Sequence, residues 1–178
     1  MEMNTKHVTN VTCKQMIHPP VGWGLIGRER SNMKSVQFHV PGKPQGKARA
    51  RTVYNRSLEH SVSYTPENDL LYENLIKTMY IHAAKGIKFD KEVPVALRIV
   101  ARFEPTKSTS KKKKMQMLSG EIPVIKKPDI DNIVKVIADA LNGVAYKDDT
   151  QIVFVAAKKT YSAEEGLDVT VEEYKATE

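Results

Sequence analysis

The 178-residue sequence is poor in the residues that several classes of protein require. It contains a single cysteine, Cys13, which excludes an internal disulfide and a zinc site built from cysteines. Its five histidines show no His-x-x-x-His ligand spacing, and no apolar run is long enough to span a membrane. We therefore predict a cytoplasmic protein with no membrane association.

Acidic residues are scarce in two segments, although the chain as a whole carries 21 of them and a net charge of +7. Segment 43–56 has no acid, and segment 105–127 has only Glu121. Cations concentrated in this way favour a nucleic-acid partner, although solvated lysine-rich loops are an alternative. The basic residues predicted to bind DNA are Lys43, Lys47, Arg49, Arg51, Lys111, Lys112, Lys113, Lys114, Lys126 and Lys127.

Apolar periodicity predicts an α+β fold. Period-2 alternation and apolar runs predict strands at 36–40, 93–103, 151–160 and 167–174. Helical spacing predicts a clear amphipathic helix over 130–141, and a short helix at 112–118 lies inside the lysine-rich connection. Segment 43–56 is too polar and irregular for a core element. We expect a two-layer domain in which two main helices pack on a mixed β-sheet.

The first main helix is predicted to begin at Thr65-Pro66, a cap followed by a first-turn proline, and to end near Lys85-Gly86. Its mostly apolar stripe predicts the face that turns toward the core. That stripe consists of Leu70, Leu71, Asn74, Leu75, Thr78 and Met79.

Residues 1–33 are polar and lack periodicity, so we predict a flexible leader followed by one domain at 34–178. Residues 28–31 can be encoded almost wholly by purines, as in a ribosome-binding site placed before Met33. Two interpretations stay open: Met33 is the natural start and residues 1–32 are an extension, or the leader is a genuine tail.

Carboxylates recur around the second main helix. If Asp129 is an extended N-cap and Asp131 lies in the first turn, the two can converge, and Asp148-Asp149 can return to them after the helix. Asp131, Lys135 and Asp139 follow one another at i, i+4 and i+8. Oxygen ligands of this kind suit Mg²⁺, with Mn²⁺ as a substitute. The alternative is ordinary capping, turn formation and an Asp131–Lys135 ion pair.

Three motifs in order carry a family resemblance: Lys-Pro-Asp-x-Asp-Asn-x-x-Lys, then Asp-Ala-Leu-Asn-Gly, then Asp-Asp-x-Gln-Ile. The chain resembles the RusA family of Holliday-junction resolvases, endodeoxyribonucleases common in prophages. The close match runs over 127–152, and a looser one extends it to roughly 35–175. The resemblance implies Asp129, Asp131 and Asp149 as Mg²⁺ ligands, with Asp148 as the alternative ligand. It also implies that Lys135 is catalytic.

The same resemblance implies a homodimer that binds four-way junction DNA. Its expected activity is that of a Mg²⁺-dependent, structure-selective endodeoxyribonuclease. Such an enzyme resolves junctions by paired symmetric nicks in DNA recombination and repair. Two alternatives stay open: a non-catalytic, basic nucleic-acid-binding module, or another metal-dependent phosphoesterase.

Overall fold

The structure, a computed structural model, describes residues 33–47, 51–55, 60–64 and 67–176, with the backbone alone for the second and third ranges. In chain order its elements are β1 (Ser35–Pro41), β2 (Arg51–Asn55), β3 (His60–Tyr64), α1 (Glu67–Ala84), β4 (Val95–Phe103), α2 (Lys111–Leu118), α3 (Ile130–Leu141), β5 (Ile152–Tyr161) and β6 (Gly166–Glu173). Residues 1–32 of the predicted leader (1–33), together with Arg49, Thr65 and Pro66, lie outside the described residues.

Four of these strands form one mixed sheet in the order β1-β6-β4-β5. Strand β6 is antiparallel to both of its neighbours, whereas β4 and β5 are parallel. Parallel neighbours need a crossover connection, and here the chain from β4 to β5 passes through α2 and α3. The predicted α+β fold with a mixed sheet is confirmed.

Helices α1 and α3 pack against each other, and the core lies between them and one face of the sheet. Alternate strand residues supply that face because successive side chains point to opposite sides. In β1 these are Val36, Phe38 and Val40, and in β6 they are Leu167, Val169 and Val171. The described helices include none that is both long and apolar enough to cross a membrane.

The inward face of α1 agrees only in part with its apolar stripe, of which Leu75 and Met79 are partly buried against the core. Leu70 and Leu71 are 48% and 60% exposed. The buried residues are instead Asp69, Tyr72, Glu73, Ile76, Tyr80 and Ala84. The acid Glu73 can be buried because Lys47 forms an ion pair with it, a compensation that hydrophobic patterning does not register.

Most element boundaries agree with prediction, and α3 agrees at both ends. Helix α2 begins one residue before the predicted 112–118. The exception is segment 43–56, for which no regular element is predicted. Its residues from Arg51 onward form β2, which pairs with β3 as a separate two-stranded sheet. A hairpin that stands apart from the main sheet can form through pairing of neighbouring strands and needs no apolar stripe toward the core.

Candidate active site

The start of α3 presents two aspartates. Asp129 is the N-cap residue, with extended backbone angles (φ −71°, ψ 150°), and Asp131 lies in the first turn, as predicted. Both side chains are exposed. The Asp129 carboxylate makes no capping hydrogen bond, so ordinary capping does not account for it. Its oxygens are available to another partner.

One turn further along α3, Lys135 points toward the C-terminal half of the helix. Its Nζ lies 3.7 Å from Asp139 Oδ1, an i,i+4 ion pair. The alternative pairing with Asp131, also four residues away, is not the one that forms. The carboxylate of Asp131, in the same turn as Asp129, therefore has no neutralising lysine from its own helix.

The Asp148-Asp149 pair forms a tight turn after α3. The Asp148 carboxylate accepts a hydrogen bond from Thr150 N at 2.9 Å, and this bond lowers the pKa of Asp148 below its usual value. Buried Gln151 completes the turn because its Oε1 accepts from the backbone amides of Lys147 and Asp148. Capping therefore occupies Asp148, and Asp149 is the exposed neighbour beside it.

Asp149 lies toward the other end of α3 from the first pair. Burial raises the pKa of Tyr146, and the charge of Asp149 adds to that rise. Asp149 comes just before the start of β5, whereas Lys159, further along the same strand, reaches the carbonyl of Pro128 next to Asp129. The Tyr146 hydroxyl donates to the carbonyl of Ala138, which is roughly 13 Å along the helix from Asp129 at 1.5 Å per residue. Within the described ranges, no three His, Cys, Asp or Glu side chains are close enough to hold one metal ion. The structure thus places two of the three predicted carboxylates, Asp129 and Asp131, in one helical turn, and the third, Asp149, outside it.

The loop after β1 is fixed onto the start of α3. Lys47 N donates to Asn132 O at 2.9 Å. Gly46 lies so close that an added Cβ would be 2.9 Å from the Cβ atoms of Pro128 and Asn132, which explains glycine at this position. The docked loop and the chain before α3 border an open cleft that Lys43, Lys127 and Asp129 share. Two predicted DNA-binding lysines therefore flank a predicted metal ligand.

Lysines also hold the segment before Asp129 in place. From β5, Lys159 Nζ donates to the carbonyls of Lys126 and Pro128, at 2.8 and 3.2 Å. The Lys126 ammonium donates to the carbonyl of Glu104 and lies over the rings of Phe103 and Tyr161. These contacts give Lys126, predicted to bind DNA, a structural role in positioning the acidic motif.

Lys47, which is also predicted to bind DNA, has internal partners. Its Nζ pairs with Glu73 Oε1 and lies 3.3 Å from Asp139 Oδ2, and its side chain is 20% exposed. Burial lowers the pKa of Lys47, but the hydrogen bonds to the two carboxylates outweigh burial and raise the pKa above 10.5. The ammonium therefore stays charged and joins the loop, α1 and α3.

Helix α2 carries a run of positive charge. Its first four residues are the predicted Lys111, Lys112, Lys113 and Lys114, all exposed, and it has no acid in its first turn and no buried residue. The Ser110 side chain caps its start by accepting from Lys113 N. Arg51 opens β2, where only the backbone is described, and Arg49 falls in the gap before it.

These features define a class of protein: an α+β domain that presents paired carboxylates at a helix start within a cationic surface. The chain matches the sequence model of the family described as "Endodeoxyribonuclease RusA" over residues 41–172, and it belongs to that family. It is also 28% identical over 144 residues to the uncharacterized protein YqaN of Bacillus subtilis (strain 168). That alignment covers 81% of this chain and 100% of YqaN. The family assigns the chain to the DNA-cleaving hydrolases.

Two contributors to this surface were not predicted as site residues. Asp139 is visible in the sequence as the third member of a polar stripe, but its contact with Lys47 joins residues 92 positions apart. No sequence pattern around Lys159 indicates its role, because this β5 lysine binds carbonyls of the segment just before α3, which is distant in sequence. The polar spacing alone could have identified Asp139.

Proposed function

We propose that this protein is a Mg²⁺-dependent, structure-selective endodeoxyribonuclease that resolves four-way DNA junctions by paired nicks. The observation that carries the proposal is the pair of exposed carboxylates, Asp129 and Asp131, at the start of α3 in a chain of the RusA family. Neither aspartate is used for capping or for an ion pair with Lys135. The basic residues around them suit a polyanionic substrate.

The donor set fits the proposed metal. Mg²⁺ prefers hard oxygen ligands and is usually held by one or two carboxylates together with waters and substrate phosphates. Asp129 and Asp131 offer such oxygens from one turn. The family resemblance implies Asp149 as a further ligand, since capping occupies Asp148, but within a single chain Asp149 lies toward the other end of α3. When bound, Mg²⁺ supplies a water of lowered pKa and stabilises charge on the phosphate.

The protein's own cations would position and stabilise the substrate. Lys43 and Lys127 border the cleft that contains Asp129, so they are suited to hold phosphates on either side of the scissile bond. Lys135 is the proposed catalytic lysine and offers a positive charge to the scissile phosphate or to the leaving 3′ oxygen. The α2 lysines extend the phosphate contacts without reading sequence.

A homodimer follows from the proposed reaction. Resolution of a junction requires nicks in two opposed strands, and an isologous pair of chains presents two equivalent sites. Strand β5 is an edge of the main sheet and carries the exposed apolar residues Val153 and Val155. We propose the interface there because two copies of one edge strand can pair antiparallel across a two-fold axis.

The direct test incubates the full chain with a synthetic four-way junction and Mg²⁺, with a linear duplex of the same arm sequence as the control. We expect junction cleavage that EDTA abolishes and little cleavage of the duplex. Junction binding without cleavage at any Mg²⁺ or Mn²⁺ concentration would favour the non-catalytic module. Turnover of a small phosphoester without junction cleavage would favour another phosphoesterase.

A further inference from the structure

Four charged side chains form a continuous series from the interior to the candidate active site. Glu73 of α1 pairs with Lys47, Lys47 lies 3.3 Å from Asp139 Oδ2, and Lys135 lies 3.7 Å from Asp139 Oδ1. The Asp139 carboxylate is therefore shared between two ammonium groups, one on each oxygen. We call these four residues the ion-pair series.

The side chains of the ion-pair series become more exposed from Glu73 to Lys135. The side chains of Glu73, Lys47, Asp139 and Lys135 are 10%, 20%, 26% and 62% exposed. The inner pair is costly to desolvate and is stabilised only while each charge keeps its partner. Lys135 is the most exposed of the four, and its position depends on the Asp139 carboxylate, which Lys47 holds in place.

The direction in which Lys135 points is not dictated by helix preferences. An acid placed four residues before a lysine is the more favourable i,i+4 order, and Asp131 occupies that position. Lys135 nevertheless pairs with Asp139, which lies four residues after it. Asp139 is held by Lys47 through a tertiary contact that Asp131 does not have.

From these contacts we propose that Asp139 is a positioning residue for Lys135, an inference that rests on the proposed nuclease function. Asp139 holds the Lys135 ammonium on one side of α3 and so keeps Asp131 free to act as a ligand. Lys47 and Glu73 fix Asp139 in turn. Asp139 itself does not touch the substrate and acts through Lys135.

A double-mutant cycle tests this role. The variants are Asp139→Asn, Lys135→Ala and the two combined, with Glu164→Gln in the exposed β5–β6 turn as a charge-matched control. The readouts are the single-turnover rate of junction cleavage with enzyme in excess, the junction Kd and the thermal midpoint. We expect Asp139→Asn to slow cleavage up to about 100-fold with Kd changed little, and to add little in the Lys135→Ala background.

The opposite outcomes are distinct. If Asp139→Asn lowers the rate by the same factor with and without Lys135, the two act independently and the inference fails. If Asp139→Asn does not fold, Asp139→Glu replaces it in the cycle, because this variant keeps the charge but shifts its position. Additive effects with Lys135→Ala would again contradict the inference. An inactive wild type would defeat the proposed function and this inference together, whereas an active wild type with additive effects would defeat this inference alone.

Discussion

Lys135 pairs with Asp139, 3.7 Å away, and not with Asp131, which lies one turn before it on the same helix. This relationship separates two interpretations of the acidic motif. Had Asp131 been neutralised by Lys135, the motif would be an ordinary helix start with an i,i+4 ion pair. Because it is not, Asp131 and Asp129 remain two exposed acids in the first turn of α3, as the proposed metal site requires.

The first prediction concerns the proposed ligands. Asp129→Asn, Asp131→Asn and Asp149→Asn each keep the side-chain shape and remove a negative charge beside the DNA phosphates. We expect junction cleavage to fall by about 100-fold or more, with junction binding kept or strengthened. Cleavage assays and gel-shift titrations measure the two effects separately, and Glu164→Gln is the control. A variant that nicks at the wild-type rate removes its residue from the proposed ligands.

Helix α2 should bind DNA phosphates. The double variant Lys112→Ala/Lys113→Ala should bind junction DNA more weakly and show a shallower dependence of log Kd on log salt concentration. The slope should change by about 0.9 for each phosphate that the variant no longer neutralises. A matched double variant, Lys88→Ala/Lys91→Ala, removes two exposed lysines near β4 and should leave the slope unchanged. Equal slopes for the two double variants would show that α2 does not bind DNA.

The exposed edge of β5 should be the dimer interface. Val155→Lys places a charge at the centre of the proposed strand pairing, so it should shift the protein toward monomer and reduce paired nicking. Sedimentation equilibrium measures the association directly. Leu71→Lys, which adds the same charge to an exposed apolar position on α1, is the matched control. If both variants associate as the wild type does, the interface lies elsewhere.

Alkaline stability should depend on Tyr72. Burial raises the pKa of Tyr72 to about 12, and the nearby Gln45 backbone offsets that rise only in part. The unfolded chain loses the phenolic proton near pH 10, so the free energy of unfolding should fall as pH rises from about 10 to about 12. The steepest contribution of this group is about 1.4 kcal/mol per pH unit. Urea titrations of Tyr72→Phe should show a smaller decline over this range than the wild type, and an equal decline would contradict the assignment.

The sequence was most informative where a local pattern decides the structure. Helix α3 combines apolar spacing on one face with a proline before its start and Asn142-Gly143 after its end, and both of its predicted boundaries are confirmed. The positions of Asp129 as extended N-cap and Asp131 in the first turn follow from the same local signals. The order of the elements therefore defines the fold class before any tertiary contact is known.

Tertiary contacts account for what could not be predicted. The inner face of α1 was predicted only in part because it includes Glu73, whose burial is compensated by Lys47 from another segment. The same ion pair gives Lys47 internal partners, although its neighbours in sequence are typical of a DNA-binding loop. Contacts of this kind join distant residues and leave no periodic signal.

The central claim, that one site per chain makes one nick in a paired incision, is tested most directly with a mixed dimer. One subunit carries Asp131→Asn and one affinity tag, and the wild-type subunit carries a different tag. Purification on both tags in succession isolates the mixed dimer. Strand-specific end labels on a four-way junction then report each nick. We expect the mixed dimer to nick one strand and rarely to complete resolution, whereas the wild-type dimer cuts two opposed strands. Efficient paired incision by the mixed dimer, or by a protein shown to be monomeric, would contradict the claim of one nick per chain.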